Sequence, residues 1–364
     1  MTIINKTNLF AALALLASAN SQAQNVTLYG VLDTSLEYVT HANAAGDSVV
    51  RMPALTGSIP SRIGFRGTED LGGGLQSFFV LESGLLLDSG GLNQGNRLFG
   101  RSAYVGLKGQ WGSLTVGRQP NMSFYAYLKS DIMGPNLYAL SSVDSYLPNA
   151  RSDNAIGYQG KFGAYTVGAT YSTGRDTSSA GGPAGTNCPG ELAGDARACR
   201  QVTAMLAYDA PSGAYGMATA YDILYGSASA AGGLNNSAYH DERYTVNGYA
   251  VLGAARFGAG LIRRQTEALV TTKSNLYFAG ISYVVSAPLV WDTQFVRLAV
   301  QDSPNGASLL ATRLTYFLSK RTAVYVTAGH MRNRGALALP VDAGGTIAPG
   351  MSQTGIASGI RHSF

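Results

Sequence analysis

TGIASGIRHSF, from Thr354 to Phe364, ends the chain on an aromatic residue after a strict two-residue alternation. Ile356, Ser358, Ile360, His362 and Phe364 share one face, and smaller or charged residues occupy the other. An alternation of period two puts successive side chains on opposite faces of a β-strand. A closing strand with an outward terminal Phe is the pattern of a membrane-spanning β-barrel. The fold class expected is therefore all-β, a closed antiparallel transmembrane barrel.

The same alternation recurs upstream. Tyr165, Val167, Ala169 and Tyr171 are set against Thr166, Gly168, Thr170 and Ser172. A soluble barrel would need large apolar side chains inside, whereas the candidate inner faces here carry Gly, Ser, Thr, Asp and Arg. The interior is thus expected to be wet and the apolar face to meet lipid. With 46 Gly, 21 Tyr and only 13 % charged residues, the composition departs from that of an ordinary cytosolic α/β enzyme.

The N-terminus has the three parts of a secretory signal: Lys6, an apolar run from Leu9 to Ala19, and Ser21-Gln22-Ala23 before Gln24. Cleavage after Ala23 would remove 23 of the 364 residues and leave a single barrel domain, 24–364. That apolar run is too short to span a bilayer, and no run of about 18 apolar residues follows it. The net charge of +5 is small and dispersed, which argues against nucleic-acid binding.

Linker lengths alternate along the chain. Short turns fall at 70–74, 109–112, 160–164, 211–214, 254–256, 286–288 and 319–321. Longer polar stretches fall near 41–60, 89–99, 121–152, 174–200, 226–242, 266–273, 303–308 and 333–353. Seven turns and eight loops divide the chain into sixteen strands, from 26–40 to 354–364, and an even number suits a bacterial single-chain barrel. Both termini then lie on the short-turn, periplasmic side. Tyr29, Tyr158, Tyr208, Tyr277 and Tyr316 near strand ends fit either interfacial aromatic girdles or plain β-propensity.

Several segments resemble the general porins of the Neisseria, Bordetella and Burkholderia type. They are VTLYG (26–30), SRIGFRGTEDLGGGL (61–75), LESG (81–84), RSAYVGLKG (101–109), GSLTVGRQ (112–119), RSDNAIGYQ (151–159) and the terminal IRHSF. The resemblance implies a water-filled, sixteen-stranded barrel in the Gram-negative outer membrane, usually a homotrimer, whose third long loop folds inward and narrows the lumen. By position that loop is 121–152. It implies a passive diffusion channel for small hydrophilic solutes and ions, with solute and outer-membrane lipid as its partners.

A pore needs a wet constriction whose fixed charges offset the partial loss of an ion's hydration shell. Alternation against Ile63 and Phe65 turns Arg62 and Arg66 inward, and alternation against Leu314 and Tyr316 does the same for Arg313. Asp33, Glu37 and Glu82 are further lumen candidates. Strict alternation with Leu114 and Val116 would send Arg118 into lipid, at a cost of about 2–4 kcal/mol at mid-depth; a bulge or a rim position would resolve the conflict. Asp131 and Asp144 in the inward loop complete the expected constriction set. Any of these arginines could instead tie the loop to the wall, and either aspartate could serve a turn. The basic wall residues predict a weak anion preference.

Cys188 and Cys199 follow a Gly/Ala/Pro-rich stretch and suggest a disulfide in an exported protein. A bridge across so short a loop would stabilise by about 3 kcal/mol in the chain-entropy picture. No cofactor or metal is called for. His41, His240, His330 and His362 sit in no catalytic motif, and Gly258-Ala259-Gly260 lacks the third glycine and following helix of a nucleotide site, so an enzyme is not expected. Two other readings stay open. A substrate-specific channel could use Tyr125, Tyr127 and Tyr138 as an aromatic track, and an adhesin or receptor barrel could act through loops 174–200 and 333–353.

Overall fold

The computed structural model describes residues 26–175, 188, 190–228 and 233–364. The expected signal segment, 1–23, lies outside the described residues. Among the described residues, seventeen antiparallel strands form one closed sheet. They are β1 (Thr27–Val39), β2 (Val49–Arg51), β3 (Arg62–Gly72), β4 (Leu75–Gly84), β5 (Ser102–Gly109), β6 (Gly112–Pro120), β7 (Arg151–Phe162), β8 (Tyr165–Arg175) and β9 (Gln201–Asp209). The others are β10 (Tyr215–Tyr225), β11 (His240–Leu252), β12 (Ala255–Glu267), β13 (Thr272–Ser286), β14 (Leu289–Val300), β15 (Gly306–Phe317), β16 (Thr322–Arg334) and β17 (Ser352–Ser363). Sixteen cross the wall. The three-residue β2 rides on the upper end of β1 within the first long loop.

Closure is made by β1. It pairs with β17 from Val31↔Ser363 to Val39↔Gly355, and with β3 from Thr27↔Arg66 to Val31↔Arg62. Phe364 exchanges backbone hydrogen bonds with Gly30, 3.1 and 3.2 Å. A Cβ at Gly30 would stand 2.3 Å from the Phe364 ring, so glycine there makes room for the terminal aromatic. The outer face follows the alternation: Leu36, Val105, Ile156, Val246, Phe295 and Ile356 are exposed, while Thr170, Ser172 and Thr203 turn inward and are buried.

Tyr158, Tyr208, Tyr277 and Tyr316 lie on the outer face. Trp111 stacks on Tyr158, and Tyr208 packs between Tyr165 and Tyr215. Tyr29 does not join them. It shares the inner face with Val31 and Asp33, and its phenol donates to the Glu82 carboxylate at 3.0 Å.

The interior is also drier than the composition suggests. Ile262, Leu276, Phe278, Val296, Leu309 and Met331, on the inner faces of β12–β16, form an apolar cushion. Loop 121–150 crosses the lumen and sets Met133, Leu137, Leu140 and Val143 onto it. The loop opens with a short helix, Met122–Tyr127, whose N-cap Asn121 accepts from the Phe124 amide. The first long loop folds inward as well, its Thr56 carbonyl accepting from the Leu137 amide at 2.9 Å. Cys188 and Cys199 are joined by a disulfide, Cα–Cα 5.3 Å, and the Cys199 amide donates to the Gly226 carbonyl.

Leu140 is 1 % exposed at the centre of this docking surface. Leu140→Ala is expected to remove about 2–5 kcal/mol of docking energy while leaving the wall intact. Single-channel recording should show added open-state noise with unchanged strand content by circular dichroism; quiet openings would mean the cushion does not hold the loop.

Candidate functional site

A basic cluster stands on the inner wall of β3–β5, facing the loop. In register, Tyr29, Gly64, Glu82 and Ser102 form one inward row, and Arg62 and Arg66 flank Gly64 on the same face. Glu82 is the hub. It pairs with Arg101 Nε at 2.6 Å and Arg62 Nε at 3.4 Å, and accepts from Tyr29. Arg66 lies over the Tyr29 ring at 5.3 Å. Arg151, at the start of β7, donates to the Arg101 carbonyl at 3.1 Å and lies 5.9 Å from the Phe124 ring of the loop. Two guanidinium groups thus share one carboxylate, with Arg66 and Arg151 joined to them through Tyr29 and the Arg101 carbonyl.

Across from them stand Phe124 and Tyr125. Burial, with the nearby Tyr104 phenol, raises the Tyr125 phenol well above its ordinary value, against the pull of Arg151. Above them a cavity of about 310 Å³ opens between loop and wall. Its charged lining residues are Arg101 and Arg151, and Thr56, Ser61, Asn136 and Ser141 add polar groups.

The remaining candidates are placed differently. Asp33 faces inward but accepts from the Gly57, Ser58 and Ile59 amides and the Tyr325 hydroxyl, so it holds the first loop. Glu37 accepts from Tyr138 and Arg51, both at 2.8 Å, and Arg51 reaches Asp342 at 2.6 Å, which joins three long loops. Asp131 is turned to the wall, where Gln294 donates to it at 2.9 Å. Asp144 pairs with Arg243 at 3.3 Å. Arg313 is held by Asp292 at 2.8 Å and donates to the Met133 carbonyl, so it ties the loop to the wall.

Arg118 is 8 % exposed. The β6–β7 register slips between Gly117 and Gln119, with Gly117 at φ +125°, and this irregularity takes Arg118 out of strict alternation. Its guanidinium then reaches Asp153 at 2.5 Å and the Gly100 carbonyl at 2.7 Å. Of the expected constriction set, Arg62 and Arg66 share the inward face of β3, Arg62 pairing with Glu82 and Arg66 lying over Tyr29. Asp131, Asp144 and Arg313 anchor the loop instead. Tyr127 and Tyr138 are fully buried, so they form no aromatic track.

Arg101 and Arg151 were not among the expected residues. Each opens a strand at the mouth of a loop, where parity counted from the strand interior no longer applies. Their one signal is that each begins a family-like segment, RSAYVGLKG and RSDNAIGYQ. Also missed was the clamp at the loop's return arm. Tyr146 is sandwiched between the Arg175 and Arg243 guanidinium groups, 4.1 and 4.2 Å from its ring, and bonds to Asp222.

Residues 9–336 match the sequence profile described as Gram-negative porin. The chain is 30 % identical, over 99 % of its length and 100 % of the relative's, to outer membrane porin protein 32 of Delftia acidovorans. It superposes on an anion-selective porin from Comamonas acidovorans with TM-score 0.77 and 26 % identity, covering 94 % of this chain and 100 % of that one. A Vibrio cholerae outer membrane protein, OmpT, solved in a trimer form, shares the fold at TM-score 0.63 and 16 % identity, covering 94 % and 100 %.

Burial pushes the Asp131 carboxyl up to about 6, against Gln294 donation and the Arg313 charge. The unfolded carboxyl releases its proton near 3.8. Between these values the folded protein holds the extra proton, so stability falls as pH rises through the window. Asp131→Asn is expected to stabilise the protein at pH 7.5 by up to about 3 kcal/mol and to flatten the dependence between pH 4 and 6. Thermal unfolding in detergent across that range would check it; an unchanged pH slope would show that Asp131 is not the titrating group.

Proposed function

This chain belongs to the Gram-negative porin family, and from that membership we propose that its outer-membrane pore passes small hydrophilic solutes passively with a preference for anions. One observation carries the preference: Arg62 and Arg101 both pair with a single carboxylate, Glu82, and Arg66 stands over the Tyr29 ring whose phenol donates to that same carboxylate. The loop's own aspartates are turned away to the wall. The net positive field lowers the energy of an anion in the passage and raises that of a cation. In water-like dielectric a unit charge at about 4 Å contributes about 1 kcal/mol, which makes the preference graded rather than absolute. No chemical step is involved; the solute gradient supplies the driving force.

Residues 1–23 are assigned to a cleaved export signal and 24–364 to the mature barrel. A homotrimer is the proposed assembly. Its support is an outward apolar groove of about 530 Å³ across β1 and β14–β17, lined by Leu36, Met52, Leu314, Tyr316, Val326 and Ile360. A concave apolar surface of this kind can take the apolar side chains of a second copy.

The double variant Arg62→Gln/Arg66→Gln should shift the reversal potential in a potassium chloride gradient toward cations, and Glu82→Gln should shift it further toward anions. Opposite signs cannot arise from general damage; shifts of the same sign, or none, would remove these residues from the filter. Mass measurement of the folded protein in detergent should give three copies of a chain beginning at Gln24.

A further inference from the structure

A second cavity, of about 570 Å³, opens across the loop from the basic cluster. It lies between the inner wall of β12–β14, the loop segment 141–145 and the last long loop. Strand pairing sets its wall out in rows. Thr266 and Thr272 form the uppermost, Arg264, Ser274 and Val300 the next, and Ile262, Leu276 and Leu298 the third. Leu337 and Leu339 of the last long loop pack against the same apolar cluster as Leu298. A polar row thus stands directly above an apolar floor.

Arg264 uses only part of its hydrogen-bonding capacity. Its Nε donates to Asp241 at 2.6 Å, and its two terminal nitrogens make no hydrogen bond with a described residue. That remaining edge of a guanidinium matches a carboxylate through two parallel bonds. The Thr272 and Ser274 hydroxyls beside it likewise have no hydrogen bond among the described residues. Asp144, which also lines the cavity, is held by Arg243 at 3.3 Å. Asp144 and Asp241 are therefore matched by Arg243 and Arg264, and Lys273 at the cavity's border adds a further positive charge.

We propose that this cavity binds an aliphatic monocarboxylic acid, its carboxylate held by Arg264 and the Ser274 hydroxyl and its chain laid over Ile262, Leu276 and Leu298. Successive inward residues on one strand are about 6.8 Å apart. An extended chain advances about 1.2 Å per bond, so a chain of about six carbons reaches from the guanidinium row across the apolar one. A chamber of this volume, largely apolar with a few convergent polar groups, has the make-up of a small-molecule site. The acid is held at the long-loop mouth, ahead of the passage. The assignment rests on the solute-channel reading and names a solute class for it, through residues that the anion preference does not use.

The test titrates the mature, folded assembly in detergent with hexanoate by calorimetry, with protein-free micelles as the blank. Each methylene buried on the apolar floor tightens binding by up to about fourfold, so hexanoate should bind about tenfold or more tighter than acetate. It should exceed hexylammonium by at least about as much, and Arg264→Gln should weaken it by about tenfold or more. Equal affinity for acetate and hexanoate, equal binding of hexylammonium, or full binding by Arg264→Gln would overturn the site. So would a loss in Arg62→Gln/Arg66→Gln with none in Arg264→Gln, which would move the carboxylate to the basic cluster. Potassium chloride conductance in bilayers without hexanoate binding would overturn the site and leave the channel standing. Hexanoate binding to a protein that conducts nothing would retain the site and overturn the channel. Should Arg264→Gln fail to fold, Leu298→Ser decides: hexanoate should weaken by about fivefold or more with acetate unchanged, and an unchanged hexanoate affinity would overturn the site.

Discussion

Every backbone amide and carbonyl within hydrocarbon needs an internal partner, and a sheet can meet that demand only by closing on itself. Here the demand converges on β1, which must pair along both edges at once. Its upper portion takes β17 on one side and β2 on the other, and its lower end takes β3. The C-terminal strand is therefore the last edge to be satisfied, and Phe364 seals it against Gly30. Once closure fixes the register, the parity of every wall residue follows, and with it the division between lipid face and lumen.

The lumen is then divided a second time. Its apolar side, on β12–β16, takes the inward loop by ordinary burial of Leu137, Leu140 and Met331, which are at most 1 % exposed. Its basic side, on β3–β5, leaves Arg66 exposed and Arg62 and Arg101 partly so. Several of the loop's polar contacts run to the wall behind it: Ser130 to Asn247, the Ile132 amide to Gln294, Ser123 to Asp222. Each carboxylate drawn into that anchorage is withdrawn from the passage. The positive field at the narrowing is thus as much a product of where the acids are buried as of where the arginines stand.

The wall was legible because period-two alternation is a local signal that tertiary packing here obeys. All sixteen crossing strands overlap the expected segments, and the inward parity of Arg62, Arg66, Asp33 and Glu82 could be counted off. What lies inside was not legible by the same means. Tyr29 near a strand end has the composition of a girdle residue, and only its parity with Asp33 places it inside. Arg118 broke the count because a single irregularity at Gly117 shifts the register. Asp131 and Asp144 have the same local sequence character whether they face solvent or wall; the difference is set by contacts more than 90 residues away, Gln294 and Arg243. Arg101 and Arg151 precede the regular part of their strands, where alternation carries no information.

Separating anchorage from selectivity has a physical consequence. The charges at the passage act through water and are screened over about 8 Å at physiological ionic strength and about 3 Å at 1 M. The apolar cushion is insensitive to that screening, and the buried clamps, such as Tyr146 between Arg175 and Arg243, are screened far less than exposed pairs. Raising the salt concentration therefore weakens the field without loosening the loop that shapes the passage. Under the proposed function, pore dimensions and ion preference have different origins: burial on β12–β16 for the first, and Arg62, Arg66 and Arg101 around the one Glu82 carboxylate for the second.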